Sequence, residues 1–376
     1  MSQDKSNAGD AAQAPVLFEE VEVGGGLRIG YARLNRPAQV NALDLQMCEL
    51  MLEKFRRWRS NESIVAVVLT ANGTKGFSAG GDVAGVVREV RAGGDHRFEY
   101  GDLFFEVEYT LDRLIHTYPK PFITHAFGIC MGGGVGLTVG GSHRIVSDRC
   151  RIAMPEIHIG LFPDVGGGWF LNRVPGGLGR VLALTGMMIN EADALFAGFA
   201  DAFVPGEESG RFHDQLHALE WTRDCATNHR LVTALLGSTN HRYRGGLPVA
   251  GLSQYYDALR FIATQPDVPS LLAALQSAAE DDPFFEAAAK GLGNGSPTTA
   301  LVADEYIRRS VHLSLPEVLE LDLVLARQFQ RRHDFAEGVR ALLIDKDRKP
   351  TWAPDSFDAV DPADVAGHFE PLTDRG

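Results

Sequence analysis

The stretch IVAVVLTANGTKGFSAGGD, residues 64–82, decides how the rest of the chain is read. Ile64 to Leu69 is apolar without interruption, the pattern of a strand buried on both faces of a sheet. A loop from Ala71 to Gly76 follows, then the glycine-rich run Phe77-Ser78-Ala79-Gly80-Gly81-Asp82, then a helical stretch through Phe104, Val107, Leu111 and Leu114. The same strand–loop–helix order recurs on either side. Upstream, residues 17–34 alternate around Gly24-Gly25-Gly26, which predicts a β-hairpin. Leu45, Cys48, Leu52 and Phe55 then recur at helical spacing. Downstream, Pro121 to Phe127 reads as a strand ending in a second glycine-rich loop, and Ile145-Val146 and Ile152-Ala153 as two short strands. Repeated units of this kind predict an α/β architecture with a largely parallel sheet.

The pattern changes near Pro205, and from there to Pro354 it is helical with almost no strand-like run. Asn190 with Asp193 reads as an N-cap, and Leu315-Pro316-Glu317 as a helix start. The expected organisation is a disordered tail over residues 1–15, a core over 16–205 and a helical C-terminal region over 206–376.

Of the 376 residues 45% are hydrophobic and 23% charged, with a formal net charge of −13. That balance fits a folded domain and argues against nonspecific nucleic-acid or acidic-membrane partners. No apolar run approaches the roughly 18 residues that span a bilayer. The first fifteen residues lack the apolar core of a signal peptide and the arginines of a transit peptide, so a cytoplasmic location is expected. Cys48, Cys130, Cys150 and Cys225 show no C-x-x-C spacing and suit reduced, mostly packed thiols.

Three segments lie at the carboxyl ends of expected strands, where α/β sheets place their sites. They are Phe77 to Asp82, Met131 to Gly136, and Met154-Pro155-Glu156 continuing through Gly160-Leu161-Phe162-Pro163-Asp164 to Gly168. Glycines ahead of a helix leave backbone amides open to an oxygen ligand, and two converging amides make an oxyanion hole. Glu156 and Asp164 could then perform acid–base or nucleophilic chemistry. Each has a plainer reading: the glycine runs as turns, Glu156 as a surface carboxylate, Asp164 as a helix N-cap. Gly76-Phe77-Ser78-Ala79-Gly80 formally matches a nucleophile elbow, but a loop separates it from the apolar strand. The glycines at 132–136 do not keep the G-x-G-x-x-G spacing of a dinucleotide loop. The histidines, His116, His125, His143, His158 and the others, read as having neither H-x-x-x-H nor H-E-x-x-H spacing, and no metal site is expected.

FSAGGD, ICMGGGVGL and MPEIHIGLFPDVGGG together resemble the enoyl-CoA hydratase/isomerase (crotonase) superfamily, most closely its 3-hydroxyisobutyryl-CoA hydrolase subgroup. Gly295-Ser296-Pro297-Thr298, Arg332-His333-Asp334-Phe335 and the run Glu337 to Asp347 fit that subgroup too. The resemblance covers about Glu20 to Pro354. It implies a core of ββα units stacked in a spiral, followed by a helical C-terminal region. It implies an oxyanion hole at Gly81 and Gly133, and an adenine contact at the Ala79 carbonyl.

The sequence departs from the hydratases of the family at Gly136, where they usually carry one of two water-positioning glutamates. Glu156 stands at the other glutamate position, and Asp164 adds a carboxylate where hydratases usually carry glycine. That combination implies a thioester hydrolase of a short β-hydroxyacyl-CoA, with 3-hydroxyisobutyryl-CoA the expected substrate, as in valine breakdown. Glu156 would be nucleophile or general base; Asp164 would bond the substrate's 3-hydroxyl or orient the attacking water. Lys346, with Arg348 and Lys349 at an expected helix end, is the candidate contact for the CoA phosphates. The alternatives are a hydratase or isomerase of the same superfamily, or a noncatalytic CoA-binding subunit. No cofactor is expected, CoA being part of the substrate, and the resemblance admits a homo-oligomer (dimer, trimer or hexamer).

Overall fold

The computed structural model describes residues 14–372; residues 1–13 of the expected tail lie outside them. The hairpin forms as the alternation requires. β1 (Val16–Glu22) pairs antiparallel with β2 (Arg28–Leu34) around the left-handed Gly24, Gly25 and Gly26. The helix Leu45–Ser60 is capped by Asp44, which accepts from the Met47 amide at 2.9 Å, and it buries Met47, Met51, Phe55 and Trp58. β3 (Ile64–Ala71) is buried along its apolar run.

The remaining strands are β4 (Gly76–Ser78), β5 (Phe122–Ala126), β6 (Ile129–Met131), β7 (His143–Val146), β8 (Arg151–Ala153) and β9 (Ala202–Phe203). One six-stranded sheet has the order β1-β2-β3-β5-β7-β9, parallel from β2 onward. A three-stranded sheet has the order β4-β6-β8. Each of the pairs β3–β4, β5–β6 and β7–β8 therefore sends one strand to each sheet before the chain continues, which is the expected spiral. β4 and β6 correct the sequence reading, in which they were parts of glycine-rich loops. They are three residues each, too short to show a period. Gly76 approaches β6 so closely that a Cβ there would sit 2.5 Å from the Ile129 amide nitrogen.

The chain divides into two compact units. The first comprises Met1–Gly81, Thr110–Ile152 and Asn190–Val249; the second comprises Asp82–Tyr109, Ala153–Ile189 and Ala250–Gly376. This line differs from the boundary expected near residue 205. In the first unit, Ile29, Val65, Ile123 and Ile145 of the large sheet, with Leu27 of the hairpin turn, pack against Phe212, Leu216, Val232 and Leu236. The apolar face of the sheet must be covered, and the helices just past residue 205 cover it. In the second unit, the 250–376 helices pack around the segment that begins at Ala153. No cysteine is in a disulfide; Cys48, Cys130 and Cys150 are buried and Cys225 is half-buried. Burial pushes the Cys130 thiol up to about 12.

Candidate active site

In the first unit, Gly133 opens the helix Gly133–Gly140, preceded by Gly132 at φ 50°. Its amide lies at the start of the helix, where no intrahelical acceptor exists. Gly81 follows directly after Gly80, whose carbonyl accepts from the Leu43 amide at 2.8 Å. A Cβ on Gly80 (φ 99°) would stand 3.1 Å from the Met131 carbonyl oxygen and 3.6 Å from the Gly133 amide nitrogen. The two glycine-rich runs are thus brought side by side, and close approach of backbones explains the glycine. Ala79 is exposed, its amide tied to the Val40 carbonyl at 2.9 Å.

Ser78 is fully buried. Its hydroxyl donates to the Asn41 carbonyl at 3.0 Å and accepts from the Gly80 amide at 3.2 Å. β4 runs through Ser78, so the reason given above for setting the elbow aside is corrected. What rules it out is burial: an elbow exposes its serine, whereas this hydroxyl braces the turn that carries Gly81.

In the second unit, Glu156 begins the short 3-10 turn Glu156–Ile159, closed by Gly160 at φ 66°. It is not a surface carboxylate, being 5% exposed, and its Oε2 is buried without a hydrogen-bond partner among the described residues. An unpaired buried carboxylate oxygen is costly and calls for a reason. Burial first, and then the charge of Asp164, hold the Glu156 carboxyl well above its ordinary range. Asp164 is equally buried. It is not a helix N-cap: Gly166 caps the next helix, Gly167–Leu171. Asp164 instead accepts from the Tyr109 hydroxyl at 2.7 Å. Burial pushes it up to about 6 against the lowering effect of that bond. The pair therefore consists of two buried acids that each hold a proton to higher pH than a free carboxylate, a condition suited to acid–base work.

Glycines let the 250–376 helices close on this turn. A Cβ on Gly160 would lie 2.3 Å from the Asp334 carbonyl oxygen, and one on Gly338 would lie 2.5 Å from the Ile159 carbonyl carbon. One on Gly295 would meet the Ile157 side chain at 2.5 Å. Ser296 caps the helix Pro297–Ser310 through the Thr299 amide and donates to Asp334 at 2.5 Å. Asp334 also accepts from the Ala353 amide at 2.9 Å. The C-terminal motifs quoted above thus meet one another behind Glu156.

Lys346 is exposed, with φ 59°. Arg348 and Lys349 line a cavity of about 760 Å³ with Trp352, Phe357 and Gly295; Lys346 is not part of its wall. Tyr109 was not singled out in the sequence, where it lies among the apolar residues of the helix Glu99–His116. Nor was Asp322, although an acid inside LELDLVLA is itself a signal. His213 and His217 do stand four apart, which corrects the reading that the histidines lack H-x-x-x-H spacing. Their rings bond the Tyr31 hydroxyl at 3.1 and 2.8 Å. Among the described residues no group of three or more His, Cys, Asp or Glu is placed to hold a metal ion.

The profile of the enoyl-CoA hydratase/isomerase family matches residues 29–369. The chain belongs to that family. It is 34% identical to the mitochondrial 3-hydroxyisobutyryl-CoA hydrolase of Xenopus tropicalis over 91% of this chain and 86% of that one. With the human protein of the same name it shares 33% over the same fractions. Two solved structures superpose with a TM-score of 0.82 at 34% identity. A carnitinyl-CoA dehydratase from Mycobacterium thermoresistibile covers 96% of this chain and 97% of its own. An enoyl-CoA hydratase from Rhodobacter sphaeroides 2.4.1 covers 96% and 98%. The fold of this family member is therefore the crotonase fold, and the chain is an enzyme of that superfamily.

Proposed function

We propose that this enzyme hydrolyses 3-hydroxyisobutyryl-CoA, or a close β-hydroxyacyl-CoA, to the free hydroxy acid and CoA. The observation that carries this reading is the buried pair Glu156 and Asp164 together with the bare Gly136. The curated relatives named as hydrolases of that ester support it.

In this reading the Gly81 and Gly133 amides donate to the thioester oxygen as it gains negative charge. Glu156 either attacks the carbonyl carbon or takes a proton from the water that does. A C–O bond forms, the C–S bond breaks, and CoA leaves as a thiolate that takes up the proton lost by water; where Glu156 is the nucleophile, that water cleaves the acyl–Glu156 anhydride and frees the hydroxy acid. Asp164, held by Tyr109, bonds the 3-hydroxyl or orients the water. Ala79 and Lys346 are proposed CoA contacts, at the adenine and the phosphates. The cytoplasmic location is likewise a proposal, to be set beside relatives named as mitochondrial and tested by fractionation.

The hydratase reading has one observation in its favour, the enoyl-CoA hydratase neighbour at 34% identity. Against it stands Gly136, which leaves water addition across a double bond to Glu156 alone. A panel of acyl-CoA esters separates the two. Thiol release from 3-hydroxyisobutyryl-CoA should far exceed that from isobutyryl-CoA, with little hydration of crotonyl-CoA. Efficient crotonyl-CoA hydration without thiol release from any hydroxyacyl ester overturns the proposal.

A further inference from the structure

The residue after Asp164 is in an unfavourable conformation. Val165 has φ 52° and Gly166 follows at 82°. A β-branched residue in the left-handed region is strained, and it stays there only where its surroundings hold it. The holding groups come from two helices, Pro297–Ser310 and Leu315–Phe329. The Gly166 amide donates to Asp322 at 2.7 Å. The Gly168 amide donates to the Tyr306 hydroxyl oxygen at 2.7 Å, and that hydroxyl donates to the other oxygen of Asp322. One side-chain pair thus grips two alternate amides of the turn. Asp322 and Tyr306 are both fully buried. Phe162, on the other side of Asp164, packs edge-on against the Tyr306 ring at 5.1 Å and stacks on Phe329 at 5.4 Å.

We propose that Asp322 and Tyr306 are positioning residues, which hold the Asp164 turn in its strained form and so set how selectively Asp164 engages a substrate hydroxyl. This rests on the reading of Asp164 given above. A carboxyl is costly to bury, and this one is kept with its donors supplied by the turn and by Tyr306. Burial, with the charge of Asp164 adding to it, holds Asp322 above its ordinary range, so the two acids also sense each other. Neither Asp322 nor Tyr306 need touch substrate. Their effect passes through the backbone between Asp164 and Gly168.

The test is the ratio of kcat/KM for 3-hydroxyisobutyryl-CoA to that for isobutyryl-CoA, measured in Tyr306→Phe and Asp322→Asn. A site aimed at a hydroxyl loses its preference when the aim is lost, so the ratio should fall about tenfold or more in each variant. Isobutyryl-CoA hydrolysis should change by no more than about threefold, since it never used that bond. Adding Val165→Gly to Tyr306→Phe removes the strain that needs holding and should recover part of the ratio. Circular dichroism checks folding. If Asp322→Asn fails to fold, Tyr306→Phe, which deletes a single oxygen, decides the matter. An unchanged ratio in the folded variant, or equal loss on both substrates with no recovery by Val165→Gly, overturns the inference while leaving the hydrolase reading intact. A wild type that releases CoA without favouring the hydroxylated ester overturns the reading of Asp164 and this inference with it.

Discussion

At the scale of single residues, Glu156 carries the chemical argument. An acid whose Oε2 has no partner among the described residues and whose neighbour is another buried acid is poised to take up or release a proton. Glu156→Gln keeps the shape and removes that capacity, so turnover should vanish while CoA-ester binding, read by calorimetry, persists. Substantial remaining kcat would take Glu156 out of the mechanism. The electrostatics also predict a pH profile. Glu156 must be ionised to act as base or nucleophile, and burial and Asp164 both hold its pKa up. The acid limb of kcat/KM should therefore lie above the usual carboxylate range. In Asp164→Asn the second cause is gone, so the limb should move to lower pH; no movement would uncouple the two acids.

At the scale of elements, the glycine-rich runs matter as shapes. Gly133→Pro deletes one amide donor of the proposed hole and should lower kcat about 10²–10³-fold in a folded protein. Gly160→Ala tests the packing behind Glu156. The added Cβ meets the Asp334 carbonyl oxygen in a left-handed backbone, and the variant should lose about 2–4 kcal/mol of stability in denaturant titration. The sequence showed such elements unevenly. β3 was legible because a long apolar run needs no period, and the capping box Asn190–Asp193 because its chemistry is local. β4 and β6 were hidden by their length and by glycines that serve a neighbour rather than the strand. Glu156 and Asp164 were legible through family motifs, whereas Tyr109 and Asp322 reach the site by tertiary contact, which a linear pattern does not contain.

For the molecule as a whole, the interleaving of the second unit sets what can be separated. Residues 153–189 share that unit with 250–376, so a fragment 1–205 lacks the surroundings of its own Glu156 turn. It should show no cooperative thermal transition by circular dichroism; a sharp melt would mean that the 16–205 core folds alone. The acids also tie stability to pH. Folding raises the Asp164 pKa from 3.8 to about 6. The folded state holds a proton that the unfolded chain gives up, so this contribution is present below the unfolded value and lost as pH climbs through about 6. At about pH 8, Asp164→Asn should be more stable than the wild type by on the order of 2–3 kcal/mol, the difference fading toward acid in calorimetric scans. The thiols, described above as a matter of packing, govern how cleanly the proposed activity can be followed. CoA release is read with an aromatic disulfide that colours on meeting any accessible sulfhydryl. With Cys48, Cys130 and Cys150 buried, the folded enzyme should contribute colour slowly and chiefly from Cys225. A sudden rise toward four equivalents per chain would then report unfolding during the assay, giving each kinetic trace its own control.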